Sequence, residues 1–382
     1  MKIHLSFLQS GVQHPIPAYS FWQYYIKNGI TDAGHSWDEV PGLDWAFGLI
    51  PKSTAEQISW KEKVWEQTIA HLKKYPADIF LSYLYPSQID CNAIKQLKSM
   101  GITCVNFFCD NVREFKKIPA EFSVFDLNWV PEHNAVKLYQ KAGLNYINLP
   151  MPIWLAPQLR ILQAESNSQL TFIGSKDIQR QLFFEVVISK RPDLPLSIYG
   201  NGWNADSPSP GPQPGGYTFG DKIAYQFRFI KQQGILPYTR KLNQRSIQAE
   251  ISRALKTKIN PSVSFDQYNR LTSSSMVTVG VNRYPSFNFP LHQPDTYSRL
   301  RDIEAPMLGA CYLTEYANGL ENLYDLDNEI NVYNCVDDFI TKADKLQKDK
   351  ELRKKLRING QKRAVHEHSV TQSLKKIIQR IT

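Results

Sequence analysis

The sequence predicts an α/β protein made of two Rossmann-like domains facing across a cleft. Three observations predict it. At 382 residues the chain exceeds one ordinary domain, and two is the natural count. In both halves short apolar runs alternate with stretches of helical spacing, the pattern of a parallel sheet covered by helices on both faces. Between the halves, Asn145–Trp154 crosses two prolines and Ala156–Ser168 is polar, so a boundary falls near 150–168.

In the first half, Ile3–Leu8 reads as a strand and Gln9–Pro17 as a loop. Ala18–Lys27 has helical spacing and is expected to end at Asn28-Gly29, a C-cap signal. His35–Ile50 is irregular. Ser53 followed by Glu56 makes a capping box, and the helix it starts runs to about Lys74. Ile79–Leu84 and Thr103–Phe108 read as strands around a helix, Asn92–Met100, that stops at Gly101. Val124–Val130 reads as a strand and Glu132–Ala142 as a helix stopped by Gly143.

In the second half, Leu170–Gly174 opens a new series, with a helix over Gln179–Lys190 and a strand over Leu196–Tyr199. Ser207–Gly220, rich in Pro and Gly, is expected to be a mobile surface loop. Asp221–Asn260 reads as mostly helical, Phe265–Thr272 as a helix, Val277–Val281 as a strand and Tyr284–Pro294 as an aromatic loop. Within Ser298–Tyr316, Leu300, Ile303 and Met307 recur at helical spacing. Pro306 and Gly309 are expected to stop that helix before a buried strand, Ala310–Thr314. Gly319–Tyr324 reads as a short helix, Glu329–Tyr333 as a strand, and Val336–Lys348 and Glu351–His366 as helices. The last helix, Val370–Ile381, carries Val370, Leu374, Ile377, Ile378 and Ile381 on one side and Lys375, Lys376 and Arg380 on the other. The expected division is 1–155, 168–368, and a terminal helix over 369–382 packing back on the N-terminal domain. A peripheral membrane contact through this basic tail is the competing account.

Hydrophobic content of 42% and charge of 21% are globular values. No apolar run is long enough to span a bilayer. MKIHLSFLQSGVQHP lacks a long apolar region and a small-residue cleavage site, so it reads as a first strand and not a signal peptide. Five cysteines without a C-x-x-C pair fit a reduced, cytoplasmic protein with no zinc site. The whole net charge of +9 sits in 341–382, where 13 Lys/Arg stand against 4 Asp/Glu. The remainder is balanced, unlike a nucleic-acid binder.

Candidate chemistry collects at predicted strand ends, where open α/β sheets bind ligands. Arg301 and Glu304, three apart, sit side by side on a helix surface. A carboxylate suits a ribose diol and a guanidinium suits phosphate. Gly174, followed by a helix start and Arg180, makes a turn whose free amides favour phosphate. Gly200, in Tyr199–Trp203, lets a backbone approach a ligand. Asn282, Arg283 and Tyr284 end another strand: Asn suits a base edge, Arg a phosphate, and Tyr stacking. Asp110 follows the VNFFC strand and is a candidate catalytic base, as is His14 in the first loop. Asp325-Leu326-Asp327 has the spelling of a metal-binding Asp-x-Asp pair but falls in a late polar segment, and no metal ligand is assigned. There is no P-loop, no early G-x-G-x-x-G and no H-E-x-x-H.

The stretch around Arg301, Ile303-Glu304, Gly309 and Leu313-Thr314 resembles the C-terminal half of the CgeB-type (spore-maturation) glycosyltransferases. So do Gly319-Leu320-Glu321, Glu329 and His368-Ser369. The resemblance spans roughly 170–375 with gaps. It implies the GT-B architecture, with a nucleotide-sugar donor in the C-terminal domain and an acceptor, a glycan, lipid-linked or protein, in the N-terminal one. It implies that Arg301 and Arg180 neutralise the diphosphate, Glu304 holds the ribose, and no metal and no cofactor beyond the donor are needed. In related two-domain transferases, inverting members place a base His in the first loop, the position of His14. Many retaining relatives carry two glutamates eight apart; here that count back from Glu304 reaches Thr296, beside Asp295. The competing class is a non-catalytic nucleotide- or sugar-binding interaction protein that retains the fold.

Overall fold

The computed structural model describes residues 1–7, 19–49, 53–165, 167–203, 223, 226–227, 230, 234–246, 250–283 and 294–382. The predicted loops at Ser207–Gly220 and Tyr284–Pro294 lie wholly or almost wholly outside these residues, as does part of the helical stretch expected over Asp221–Asn260.

Strand–helix alternation starts at once. β1 (Lys2–Phe7) and α1 (Tyr19–Asp32) are followed by β2 (Ser36–Asp38), α2 (Thr54–Lys74), β3 (Ile79–Tyr83), α3 (Cys91–Ser99) and β4 (Thr103–Phe107). A single helical turn, α4 (Asn111–Glu114), then β5 (Leu127–Val130), α5 (His133–Ala142) and β6 (Tyr146–Asn148) complete the series. All six strands pair in parallel in the order β2-β1-β3-β4-β5-β6. Every residue of β3, IFLSY, is buried, as a strand covered on both faces requires.

The second series runs β7 (Leu170–Ile173), α6 (Ile178–Lys190), β8 (Leu196–Tyr199), α7 (Ile235–Ser246), α8 (Arg253–Lys256), α9 (Phe265–Ser274), β9 (Val277–Gly280) and α10 (Arg301–Met307). It ends with β10 (Tyr312–Glu315), β11 (Asn331–Tyr333), α11 (Val336–Lys348), α12 (Lys350–Glu367) and α13 (Val370–Ile381). Its five strands are also parallel, ordered β11-β10-β9-β7-β8. Phe172, Phe183, Phe184, Trp203, Tyr333 and Phe339 anchor its core. The chain forms two compact units: Met1–Trp154 together with His366–Thr382, and Leu155–Val365. Among the described residues no helix is long and apolar enough to cross a membrane.

Local signals explain several boundaries. Ser53 Oγ accepts from the Glu56 amide at 3.3 Å, and the Glu56 carboxylate accepts from the Ser53 amide at 2.9 Å. Gly143 ends α5 in the left-handed region, at φ +66°.

Other boundaries differ from expectation. α1 does not stop at Gly29 but continues to Asp32. Gly29 serves packing: a Cβ there would lie 2.0 Å from Val370 Cγ1. Within the first unit α13 lies against α1, with Val370, Leu374 and Ile377 buried and Lys375, Lys376 and Arg380 exposed. Its start is pinned by a hydrogen bond from the Val370 amide to the Ile153 carbonyl at 2.8 Å. Most of the apolar stripe therefore has a protein partner. β2 and β6 were not expected; three residues each are too few to set up an alternation. The strand expected over Val124–Val130 begins only at Leu127, because Ala120–Val124 forms a 3-10 turn. Pro306 sits inside α10 and not at its end, while Gly309, at φ +76°, follows it.

Candidate donor site

In the second unit the carboxyl ends of β7 and β8 are drawn together by two glycines. The Gly174 amide donates to the Tyr199 carbonyl at 2.8 Å, and Trp203 Nε1 donates to the Gly174 carbonyl at 2.8 Å. Gly200 has φ +132°, and a Cβ on it would lie 2.3 Å from the Gly174 oxygen. The two loops run backbone against backbone, which only glycine permits.

Arginines gather beside these loops. Asp177 caps α6 by accepting from the Arg180 amide at 2.9 Å. The Arg180 side chain donates from Nη1 to the Ser175 carbonyl at 2.7 Å, with Nε 3.3 Å from Asp177. Its guanidinium lies 5.6 Å from the centre of the Phe172 ring, and that of Arg301 lies 5.8 Å from the same ring. Arg299 lies 4.6 Å from the Tyr297 ring. Burial pushes Arg180 down to about 10, and the charges of Arg299 and Arg301 add to the depression that Asp177 opposes. Burial also works against the charge on Arg301, but Tyr268, Tyr312 and Glu304 outweigh it and its pKa is raised. The Nε atoms of Arg180, Arg299 and Arg301 are buried without a hydrogen-bond acceptor in the protein. Three crowded guanidiniums with unused donors favour an anion.

Glu304, 2% exposed, accepts a hydrogen bond from the Tyr268 hydroxyl. Arg301 also lies over the Tyr268 ring, at 5.6 Å, so the expected Arg–Glu pair converges on one tyrosine. The preceding residue organises the helix. Asp302 is fully buried and accepts from Tyr312 Oη at 2.8 Å, Thr314 Oγ1 at 3.1 Å, Asn282 Nδ2 at 3.1 Å and the Arg299 amide at 2.8 Å. Burial raises its pKa and these hydrogen bonds hold it back. Gly280 makes room for the hydroxyls, since a Cβ there would lie 2.2 Å from Tyr312 Oη and 2.3 Å from Thr314 Oγ1. α10 is thus fastened to β9 and β10 by a polar network, and Arg301 and Glu304 are fixed with it.

The Asn282 amide is used inside this network and also donates to the Glu315 carbonyl at 2.8 Å. Arg283 pairs with Glu315 at 2.8 Å and lies over the Phe183 ring. Burial raises the Glu315 pKa against that pairing, and its Oε2 has no hydrogen-bond partner. Arg283, Glu315, Tyr316, Asn334 and Cys335 line part of a half-open cavity of about 740 Å³.

A family model described as glycosyl transferase-like matches residues 176–379, more than half of the chain. The chain belongs to this family. No curated protein sequence matches it. Solved structures with a similar fold include a sucrose-phosphate synthase from Thermosynechococcus elongatus (TM-score 0.58, 11% identity, covering 100% of this chain and 98% of that one). A glycosyltransferase from Rickettsia africae gives a TM-score of 0.56 at 11% identity, over 99% of this chain and 96% of that one. Anabaena HepE, in complex with UDP, gives 0.56 at 11% identity, over 100% and 99%. The glycosyl transferase-like chain therefore has the two-domain, Rossmann-like α/β fold of GT-B glycosyltransferases.

In this glycosyl transferase-like protein the structure brings Gly174, Gly200, Arg180, Arg301 and Glu304 to one region of the second unit. His14 and Tyr284 lie outside the described residues. Asp110 lies in the first unit after β4, 3.5 Å from the Tyr83 hydroxyl and 4.0 Å from Arg113. Near it Glu132 is 1% exposed, and burial raises its pKa to about 8. Asp325 and Asp327 belong to a turn before β11. Asn328 Nδ2 donates to Asp325 at 3.1 Å, and Lys342 lies 3.7 Å from Asp327, whose φ is +68°. Among the described residues this pair joins no cluster with metal-ligand spacing.

Sequence reasoning missed Arg299, Asp302, Tyr268 and Glu132. Arg299 had a signal, since an Arg-x-Arg run leads into α10. Asp302 had none in the spacing, because at 100° per residue it falls nearly opposite the expected apolar face of Leu300, Ile303 and Met307. Tyr268 and Glu132 had none, because their partners are distant in sequence.

Proposed function

We propose that this protein is a nucleotide-sugar-dependent glycosyltransferase of the CgeB type that acts without a metal ion. The observation that carries the reading is the set of three crowded arginines, Arg180, Arg299 and Arg301, beside the buried Glu304. A diphosphate leaving group would supply acceptors for the unused Nε donors of these guanidiniums. Fixed positive charge aimed at it stabilises the transition state as a metal would. An ionised carboxylate has about four lone-pair sites, so Glu304 can accept from a ribose diol as well as from Tyr268. A base in the first unit, His14 or Asp110, takes the proton of the acceptor hydroxyl. The acceptor is a glycan, a lipid-linked sugar or a protein, reached from the cytoplasm. Uridine nucleotides are the first to test, because HepE, of similar fold, is described with UDP.

The experiment is donor turnover. The purified protein is incubated with a panel of nucleotide sugars, with and without lysate acceptors, and free nucleoside diphosphate is measured. Release from at least one donor is expected. Release from none refutes the enzyme reading; nucleotide binding without release would instead favour a non-catalytic binding protein.

A further inference from the structure

One side-chain cluster in the first unit has no part in the donor site. His4 and Asp38 are directly paired across β1 and β2. His71 lies in the last turn of α2. Asp38 Oδ2 is 2.7 Å from His71 Nε2 and 3.5 Å from His4 Nδ1. One ligand atom from each of the three residues falls within 4.8 Å of the other two.

A hydrogen-bonded Asp38–His71 pair accounts for two of these groups. It does not account for His4, whose side chain is wholly buried while both ring nitrogens lack a hydrogen-bond partner. Buried polar atoms in native proteins are nearly always satisfied, and an unsatisfied one is destabilising. A coordinate bond would satisfy one of the two nitrogens.

We propose that His4, Asp38 and His71 bind a divalent transition-metal ion of the zinc class. Two imidazoles and one carboxylate suit zinc and its first-row neighbours, whereas magnesium and calcium prefer oxygen ligands. Zinc holds nitrogen and oxygen ligands at about 2.0–2.2 Å, which sets neighbouring ligand atoms roughly 3.3 Å apart. The observed 2.7 and 3.5 Å bracket that spacing, so small side-chain movements close the set. Lys2 Nζ, 3.6 Å from Asp38, competes as a cation, and the metal displaces it. Asp38 and His71 remain 21% and 13% exposed, which gives the ion an entry path and a water as fourth ligand. The site ties β1, β2 and α2 together, with His4 early in β1, Asp38 the last residue of β2 and His71 in the last turn of α2. It is structural, and it stands whether or not the donor reading does.

The test uses the full chain stripped with chelator and titrated with zinc chloride by calorimetry, with Tm recorded alongside and cobalt(II) as a spectroscopic probe. The expected result is one ion per chain, a raised Tm, and visible absorption of tetrahedral strength with cobalt. His71→Asn should weaken zinc at least tenfold and remove the cobalt bands, with His4→Phe as a second variant where it folds. Zinc binding of equal affinity in His71→Asn, or a stripped wild type with neither stoichiometric binding nor a Tm rise, overturns the proposal.

Discussion

Replacing Gly29 with alanine tests how the final helix is held. The added Cβ would lie 2.0 Å from Val370 Cγ1, 3.2 Å from its Cβ and 3.3 Å from Cγ2. Carbon atoms settle at about 3.5–4.0 Å, so more than an ångström must be found. Val370 has little room to give it: the residue is fully buried, its side chain is stiff at χ1, and its amide is tied to Ile153. Overpacking of this kind costs about 2–3 kcal/mol, at the upper part of the usual range. Alanine returns about 1 kcal/mol through helix propensity. The net loss is about 1–2 kcal/mol. In a unit of about 170 residues that lowers Tm by roughly 2–8 °C. Val370→Ala alone removes two methyl groups, about 1.6 kcal/mol. The double variant should be no less stable than Val370→Ala, a coupling of about 1–2 kcal/mol. Urea unfolding followed by tryptophan fluorescence reads all four proteins, with the transitions of the two units fitted separately. An unchanged or raised Tm in Gly29→Ala, or strictly additive effects, would refute the packing.

Two further predictions concern charge. Burial raises Glu132 from its ordinary value of 4.5 to about 8, so the folded protein keeps a proton that the unfolded chain releases. Stability should therefore fall as pH rises through that interval, and Glu132→Gln should flatten the slope; an equal slope in the variant contradicts this. If guanidiniums neutralise the leaving group, nucleoside diphosphate release per folded molecule should persist in EDTA. Loss restored by manganese or magnesium would return attention to Asp325 and Asp327.

Much of the fold was legible because its signals are local. The Ser53–Glu56 capping box and the Gly143 stop act within a few residues, and the central strands of both sheets are short, buried and rich in apolar residues. Gly29 misled because a glycine reads the same whether it ends a helix or admits another helix. β2 and β6 escaped because edge strands of three residues take their definition from a neighbour. At the candidate site Arg301 and Glu304 were visible through their spacing and a family resemblance. Asp302, between them, was not: its role depends on Asn282, Tyr312 and Thr314, which only the parallel sheet brings together. Asn282 was read as facing a ligand because it ends a strand, yet the same network takes its amide inward.

Nucleotide affinity tests the central claim most directly. Calorimetry with UDP, GDP and ADP should find at least one that binds the wild type. Glu304 is buried, and removing a charged hydrogen-bonding partner costs about 1.5–3 kcal/mol. Glu304→Ala should therefore weaken that nucleotide at least tenfold, and Arg301→Met comparably, while Asp325→Asn leaves it unchanged. Wild-type affinity in both Glu304→Ala and Arg301→Met would contradict the account.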